Sequence, residues 1–217
     1  MKMHLNTKIT SAAYTKWILI VTAFSGLLVP AIASAELNYS YVGVDYSKTS
    51  QSGVADLSGI GIGISKSIYS NLFLTGSIFN RRQSSGTNMG DISVYEFAEG
   101  AGYHTPINYN IDFIVSGTLQ QSRSKFAGAS ADENGYAFGV GIRAELAPKF
   151  EGQVSGDYFS MSSNSFTSTG KRIDAILEFM VTPELTLLAD IDSSSHNPPF
   201  GSSYTTRTID FGARFYF

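Results

Sequence analysis

The sequence contains no cysteine. That excludes disulfide staples, thiol nucleophiles and thiolate metal sites. Histidine is nearly absent too, with three in 217 residues, one of them His4. His104 and His196 are too few and too far apart in sequence to suggest a metal cluster. Tryptophan occurs once, at Trp17, and proline six times. Beyond the N-terminal region no run approaches 18 consecutive apolar residues, which excludes a membrane helix there. A formal net charge of −3 argues against nucleic acid as a partner. The glycine-rich "GIGIGIS" of Gly59–Ser65 lacks the spacing of a nucleotide fingerprint and precedes no helix.

What is present begins with a leader-like N-terminus. Lys2, Lys8 and Lys16 supply positive charge with no acid before Glu36, and the apolar run Trp17–Val29 follows. At 13 residues it is short of the roughly 20 needed to span a bilayer. Ala33 and Ala35 then stand in A-x-A arrangement. The pattern predicts a cleaved signal peptide over 1–35 and one mature domain over 36–217. Without the three lysines the mature chain holds 12 basic and 18 acidic residues, a formal charge of −6.

The mature sequence alternates apolar and polar residues from end to end. Ten segments are predicted, about 38–47, 54–65, 72–80, 92–104, 109–120, 136–146, 150–161, 172–181, 185–192 and 205–217. Most are of the length a tilted strand needs to cross a bilayer. No convincing 3.6-residue period appears. The connections alternate as well. One set is short and carries Pro106, Pro148 and Pro183, since proline fixes φ and cannot donate to a ladder. The other set is longer and rich in Ser, Gly and Asn, such as "NRRQSSGTNMGD" and "SRSKFAGASADENG". In an up-and-down meander this puts all short turns at one end and all long loops at the other.

Within segments the two faces differ. Tyr136, Phe138, Val140, Ile142, Ala144 and Leu146 oppose Ala137, Gly139, Gly141, Arg143 and Glu145. Ile173, Ala175, Leu177 and Phe179 oppose Asp174, Ile176 and Glu178. A soluble sandwich or lipocalin-like barrel would turn the apolar face inward. A membrane barrel turns it outward to lipid and fills its interior with glycine and charge. The leader, the strand lengths, the one-sided long loops and the aromatic last strand favour the membrane barrel. The facing of 38–47, 72–80 and 92–104 stays open. In "ISVYEFAEGAGYH" Glu96 and Glu99 have opposite parity, so one must face lipid unless a bulge intervenes. The expectation is Glu99 inside, because Glu96 lies nearer the long-loop end, where exposure costs less.

The last stretch, "IDFGARFYF", alternates to the final Phe217, with Phe215, Ala213, Phe211 and Ile209 on the same parity. With the leader and the strand rhythm, it makes the mature chain resemble the small outer-membrane β-barrels of Gram-negative bacteria, the OmpA-like and opacity-protein-like group. The resemblance implies an all-β, up-and-down antiparallel transmembrane barrel in the outer membrane. The segment count gives ten strands, with the eight usual in that group as the alternative. It also implies that Phe217, Phe215 and Phe211 form a signal read by the barrel assembly machinery. It implies no particular activity, because such barrels host many.

The expected lumen carries Asp112, Arg143, Glu145, Glu151, Asp157, Asp174, Glu178, Asp190, Asp210 and Arg214, with Arg143 and Arg214 bridging an acidic lining. One reading is a charge network that plugs the barrel, since unpaired buried charge is expensive. A second is a narrow, cation-preferring conduit for small solutes or ions. A third is a rim hydrolase using His196 near Asp190 and Asp192; for it no second acidic pair is found, and His196 reads as a solvated loop residue and His104 as a turn residue. The leading expectation is a non-enzymatic surface or envelope protein with five external loops of about ten residues, without cofactor, open to a host or surface ligand. Arg81, Arg82, Lys171 and Arg172 fall near the expected external rim with Lys48, Arg123, Lys125 and Arg207. They are candidates for contact with lipopolysaccharide phosphates.

Overall fold

Ten strands follow one another along the chain in the computed structural model, which describes residues 37–52, 54–83, 92–126, 129–163, 166–199 and 201–217. They are β1 (Tyr41–Gln51), β2 (Val54–Ser67), β3 (Leu72–Gln83), β4 (Ile92–Asn108) and β5 (Ile111–Phe126), then β6 (Ala129–Ala147), β7 (Phe150–Ser162), β8 (Thr167–Met180), β9 (Leu185–Asn197) and β10 (Tyr204–Tyr216). Each pairs antiparallel with its sequence neighbours, and β1 pairs with β10 to close the barrel. Closure leaves no edge strand with open backbone donors, which a sheet in hydrocarbon could not tolerate. The strand count is therefore ten and not eight. The predicted leader, 1–35, lies outside the described residues.

The alternation sets the two surfaces. Val44, Ile62, Ile78, Leu119, Val154 and Phe211 all point outward and are exposed. So do Phe138, Ile142 and Leu177, at 63%, 48% and 47% exposure. In a soluble sandwich these three would fill the core, so that alternative fails. The facing left open by the sequence resolves by register. Val42 and Val44 of β1 pair with Ile64 and Ile62 of β2 on the outer face. On β3, Leu74 and Ile78 are outside, while Phe73 and Phe79 turn into the lumen.

That inward placement of two phenylalanines depends on glycine. A Cβ at Gly61 would stand 2.2 Å from the Phe79 ring, and one at Gly102 would stand 2.1 Å from the Phe73 ring. Neither strand could carry a side chain there with those rings in place.

Two expectations about the strands need correction. First, β4 is regular where the two glutamates lie, and its recorded register shift falls at Pro106 and Asn108. Glu96 pairs with Phe79 on the lumen side, and Glu99 pairs with Gly76 and Leu119 on the outer side. Glu99 is therefore the outward acid and Glu96 the inward one. Second, the long loops are shorter than their polar composition suggests. β5 and β6 run on until only 127–128 separate them, and β1 and β2 are separated by 52–53. Away from lipid both faces of a strand can be polar, so serine- and asparagine-rich sequence extends a hairpin as readily as it makes a loop. At the opposite end the turns are tight. The Pro148 turn between β6 and β7 places Lys149 at φ 73, a left-handed conformation that costs a non-glycine residue roughly 1 kcal/mol.

Candidate functional site: the lumen and its charge network

The residues before β1 do not continue the strand. Leu37–Ser40 turn into the short-turn mouth of the barrel, where Tyr39 is 4% exposed. Its ring stacks on His104 at 4.1 Å and on Phe73 at 4.9 Å between centroids. Its hydroxyl donates to Asp112 Oδ2 at 2.9 Å, and His104 Nδ1 lies 2.9 Å from the same oxygen. One aromatic side chain thus crosses from the N-terminal segment to β3, β4 and β5.

A charge network lies alongside. Arg143 donates to Glu151 Oε2 from Nε at 3.0 Å and from Nη2 at 2.5 Å. Its Nη1 donates to the Asn38 carbonyl at 2.7 Å, which ties down the inserted segment. Its Nη2 also donates to the Tyr216 hydroxyl at 3.1 Å. That hydroxyl in turn donates to Glu178 Oε2 at 2.5 Å. Thr186 donates to the same oxygen at 3.2 Å, and Arg214 pairs with Glu178 Oε1. Arg143 lies 5.0 Å above the Tyr39 ring and Arg214 4.4 Å above the Tyr41 ring. Buried charges are tolerated only when paired and hydrogen-bonded in this way. Arg143 thus pairs with Glu151, and Arg214 pairs with Glu178. Glu145 does not join them: it is exposed at the short-turn end, opposite Glu151 across β6 and β7.

Further along the lumen the charges are less evenly matched. Arg172 donates to Asp157 Oδ2 from Nε at 2.9 Å and from Nη2 at 2.7 Å. Arg81 donates to Ser47 at 2.8 Å and pairs with Glu96. Ser155 hydrogen-bonds Asp174. Among the described residues, the Oδ1 atoms of Asp45, Asp190 and Asp210 are buried without a hydrogen-bonding protein partner. A cavity of about 350 Å³ opens beside them, lined also by Asp157, Asp174, Asp192 and Arg172. No group of three or more histidine and carboxylate side chains among the described residues is placed to hold a metal ion.

Several sequence-based placements change here. Arg81 and Arg172 were candidates for lipid phosphate, yet both point into the lumen and are spent on Glu96 and Asp157. Arg82 and Lys171, one residue away on each strand, face outward. Arg82 Nη2 donates to the Tyr95 hydroxyl at 3.4 Å. His104 is a buried lumen residue rather than a turn residue. His196 lies on β9 and not in a loop. Its ring stacks on Tyr204 at 4.7 Å and tilts against Phe159 at 5.0 Å, and Nε2 lies 3.3 Å from Thr206 Oγ1. Of the terminal aromatic residues, Phe211 and Phe215 are outward and exposed on β10, and Phe217 follows that strand. Sequence reading missed Tyr39, Tyr216, Asp45, Glu96 and Asp192 as lumen groups.

An outer membrane channel from Pseudomonas putida F1 is similar in fold. It aligns with a TM-score of 0.52 at 11% identity, over 87% of this chain and 100% of that one. Neisserial surface protein A aligns at 0.44 and 17% identity, over 86% and 100%. The N-terminal β-barrel domain of Pseudomonas aeruginosa OprF aligns at 0.37 and 14%, over 82% and 100%. At these identities a likeness concerns fold alone. Among curated proteins none matches this sequence. A family described as the outer membrane protein beta-barrel domain matches residues 19–217. With that match and the closed ten-stranded barrel, the chain belongs to the outer membrane protein β-barrel domain family and is a protein of the bacterial outer membrane.

Proposed function

We propose that the protein is a non-enzymatic surface and envelope protein whose barrel is closed by its own N-terminal segment. The connections 68–71, 109–110, 148–149 and 181–184 lie in the periplasm and the five at the opposite end outside, with the strand ends that carry the serine- and asparagine-rich sequence on the external side. The insertion of Tyr39 between His104, Phe73 and Asp112, locked by Arg143, carries this reading. A pore that conducts freely would not spend a buried tyrosine and two bridged arginines on its periplasmic mouth. Five external connections remain for a host or surface ligand. The rim-hydrolase reading loses support, because His196 sits in an aromatic stack with a threonine hydroxyl and Asp192 takes its hydrogen bond from Ser194. In planar bilayers the mature chain is expected to insert without discrete conductance steps. Steady stepwise conductance of the wild-type protein would replace this reading with that of a narrow channel, for which the 350 Å³ acidic cavity supplies a middle section.

The outward cations supply the partner chemistry. Lys48, Arg82, Lys125, Lys171 and Arg207 all stand on the outer face near the external strand ends. Phosphate-bearing lipopolysaccharide in the outer leaflet fits such a ring. Replacing Arg82 and Lys171 together with serine is expected to reduce co-purified lipopolysaccharide at least severalfold while the barrel stays folded. Replacing Arg81 and Arg172 should not produce that selective loss, because both face the lumen. Equal retention of lipopolysaccharide in the Arg82/Lys171 variant and the wild type would remove this partner from the account. The outward Phe211 and Phe215, with Phe217, remain the candidate segment for recognition by the barrel assembly machinery.

A further inference from the structure

The outer wall carries one group that lipid does not accommodate well. Glu99 stands on β4 midway between the outward Tyr95 and Tyr103. Eight residues of tilted strand separate those tyrosines, roughly 20 Å along the membrane normal, close to the height of the apolar band of such barrels. Glu99 is thus near the centre of the hydrocarbon. No described residue gives it a hydrogen bond or ion pair. On the neighbouring strands the outward cations Arg82 and Arg123 lie toward the external ends, and Lys66 of β2 lies toward the short-turn end. An ionisable side chain at this depth normally faces a partner instead of lipid.

The surface beside it is low at Gly76 and at the Ala101–Gly117 pair, while Leu119 stands exposed on the other side. Glu99 pairs across the ladder with Gly76 on one side and Leu119 on the other, and Ala101 pairs with Gly117 one step below. A Cβ built at Gly76 would meet nothing nearer than Ile64 Cγ2 at 3.6 Å. Small residues of this kind let two walls approach closely within a membrane, where packing and interhelical or inter-wall hydrogen bonds replace the hydrophobic effect.

We propose that this face of β3–β5 is the contact between two copies of the chain, related by a two-fold axis along the membrane normal, with the two Glu99 carboxyls hydrogen-bonded across it. The membrane itself selects this occupant. Insertion fixes depth and direction, so a second copy brings its own Glu99 to the same level. A carboxyl O–H can donate to a facing carboxyl oxygen, so two such groups can be joined by a hydrogen bond. A two-fold contact is also self-complementary by construction, so the low Gly76–Ala101 surface of each wall meets its equal. Lipid chains offer neither a donor nor a fixed depth.

Because the chain has no cysteine, single cysteines report the contact cleanly. Ala101→Cys, oxidised in outer membranes, is expected to give a disulfide-linked dimer. Ala189→Cys, outward on β9 five strands round the barrel, is expected to stay monomeric. In the Ala101→Cys background, Glu99→Gln should keep the dimer band, since facing amides exchange hydrogen bonds. Glu99→Leu should cut it severalfold. A leucine suits a lipid-facing site, so that variant should still fold, and an unchanged heat-dependent gel shift verifies it. Equal crosslinking at positions 101 and 189, or an undiminished dimer in Glu99→Leu, would overturn the proposal.

Discussion

Replacing Arg143 with alanine is expected to lower the stability of the barrel by about 3–5 kcal/mol, the cost of removing one member of a buried ion pair. Arg143 is 4% exposed and touches Glu151, the Asn38 carbonyl, the Tyr216 hydroxyl and the face of Tyr39. Its loss leaves the Glu151 carboxylate without its cation and releases the inserted segment. A surface pair gives the scale. Arg123 and Asp132 are about half exposed, at 52% and 55%, and breaking such a pair costs at most about 1 kcal/mol. The single tryptophan lies at position 17, in the predicted leader, so the measurement is the temperature or urea concentration at which the compact form is lost on a gel. The double variant Arg143→Met, Glu151→Gln removes both charges and should recover part of the loss. If Arg143→Ala were no more damaging than Arg123→Ala, the charge network would not hold the wall.

The fold was legible because alternation in a barrel is imposed by two different solvents, one on each face. It was strongest where one parity was all apolar, as on β6 with Phe138, Val140 and Ile142. It failed where the lumen itself is aromatic. On β3, Phe73 and Phe79 face in and Leu74 and Ile78 face out, so neither parity reads as polar, and the glycines that make room for the rings are on other strands. The two glutamates of β4 could not be ranked by depth. What ranks them is a partner, because Arg81 faces inward and reaches Glu96.

Part of the site follows from parity alone. The parity that puts Asp174 in the lumen puts Arg172 there as well, two residues earlier, and leaves Lys171 outside. Composition near a strand end suggested lipid phosphate for both, but side-chain direction depends on parity, not on nearness to a rim. The stacking of Tyr39 was beyond the sequence. "NYSY" alternates as a strand would, but the facing of that segment stays open in the sequence, and the stacking partners Phe73 and His104, contributed by β3 and β4, hold Tyr39 inside.

Removing that ring should change what the barrel does as well as how stable it is. Tyr39→Ala deletes a side chain that is 4% exposed and stacked on two others, a loss of roughly 3 kcal/mol or more. It also withdraws the group that crosses the short-turn mouth. Behind that mouth lies the cavity bordered by Asp157, Asp174, Asp190, Asp192 and Asp210, where carboxylates outnumber the guanidinium groups of Arg81 and Arg172. The variant is therefore expected to show discrete conductance steps where the wild type is silent, and its reversal potential in a salt gradient should favour cations. Tyr39→Phe keeps the stack but loses the hydrogen bond to Asp112, and should remain closed. Adding Asp190→Asn and Asp210→Asn to the open variant should weaken the cation preference without closing it, because each of those two carboxylates lines the cavity and has a buried Oδ1 without a protein donor. A folded Tyr39→Ala barrel that stays silent would mean the seal lies elsewhere, with the aromatic group of Phe159, His196 and Tyr204 toward the external ends of their strands the next place to cut. An anion preference in the open variant would mean that the arginines and not the aspartates set the lumen's field.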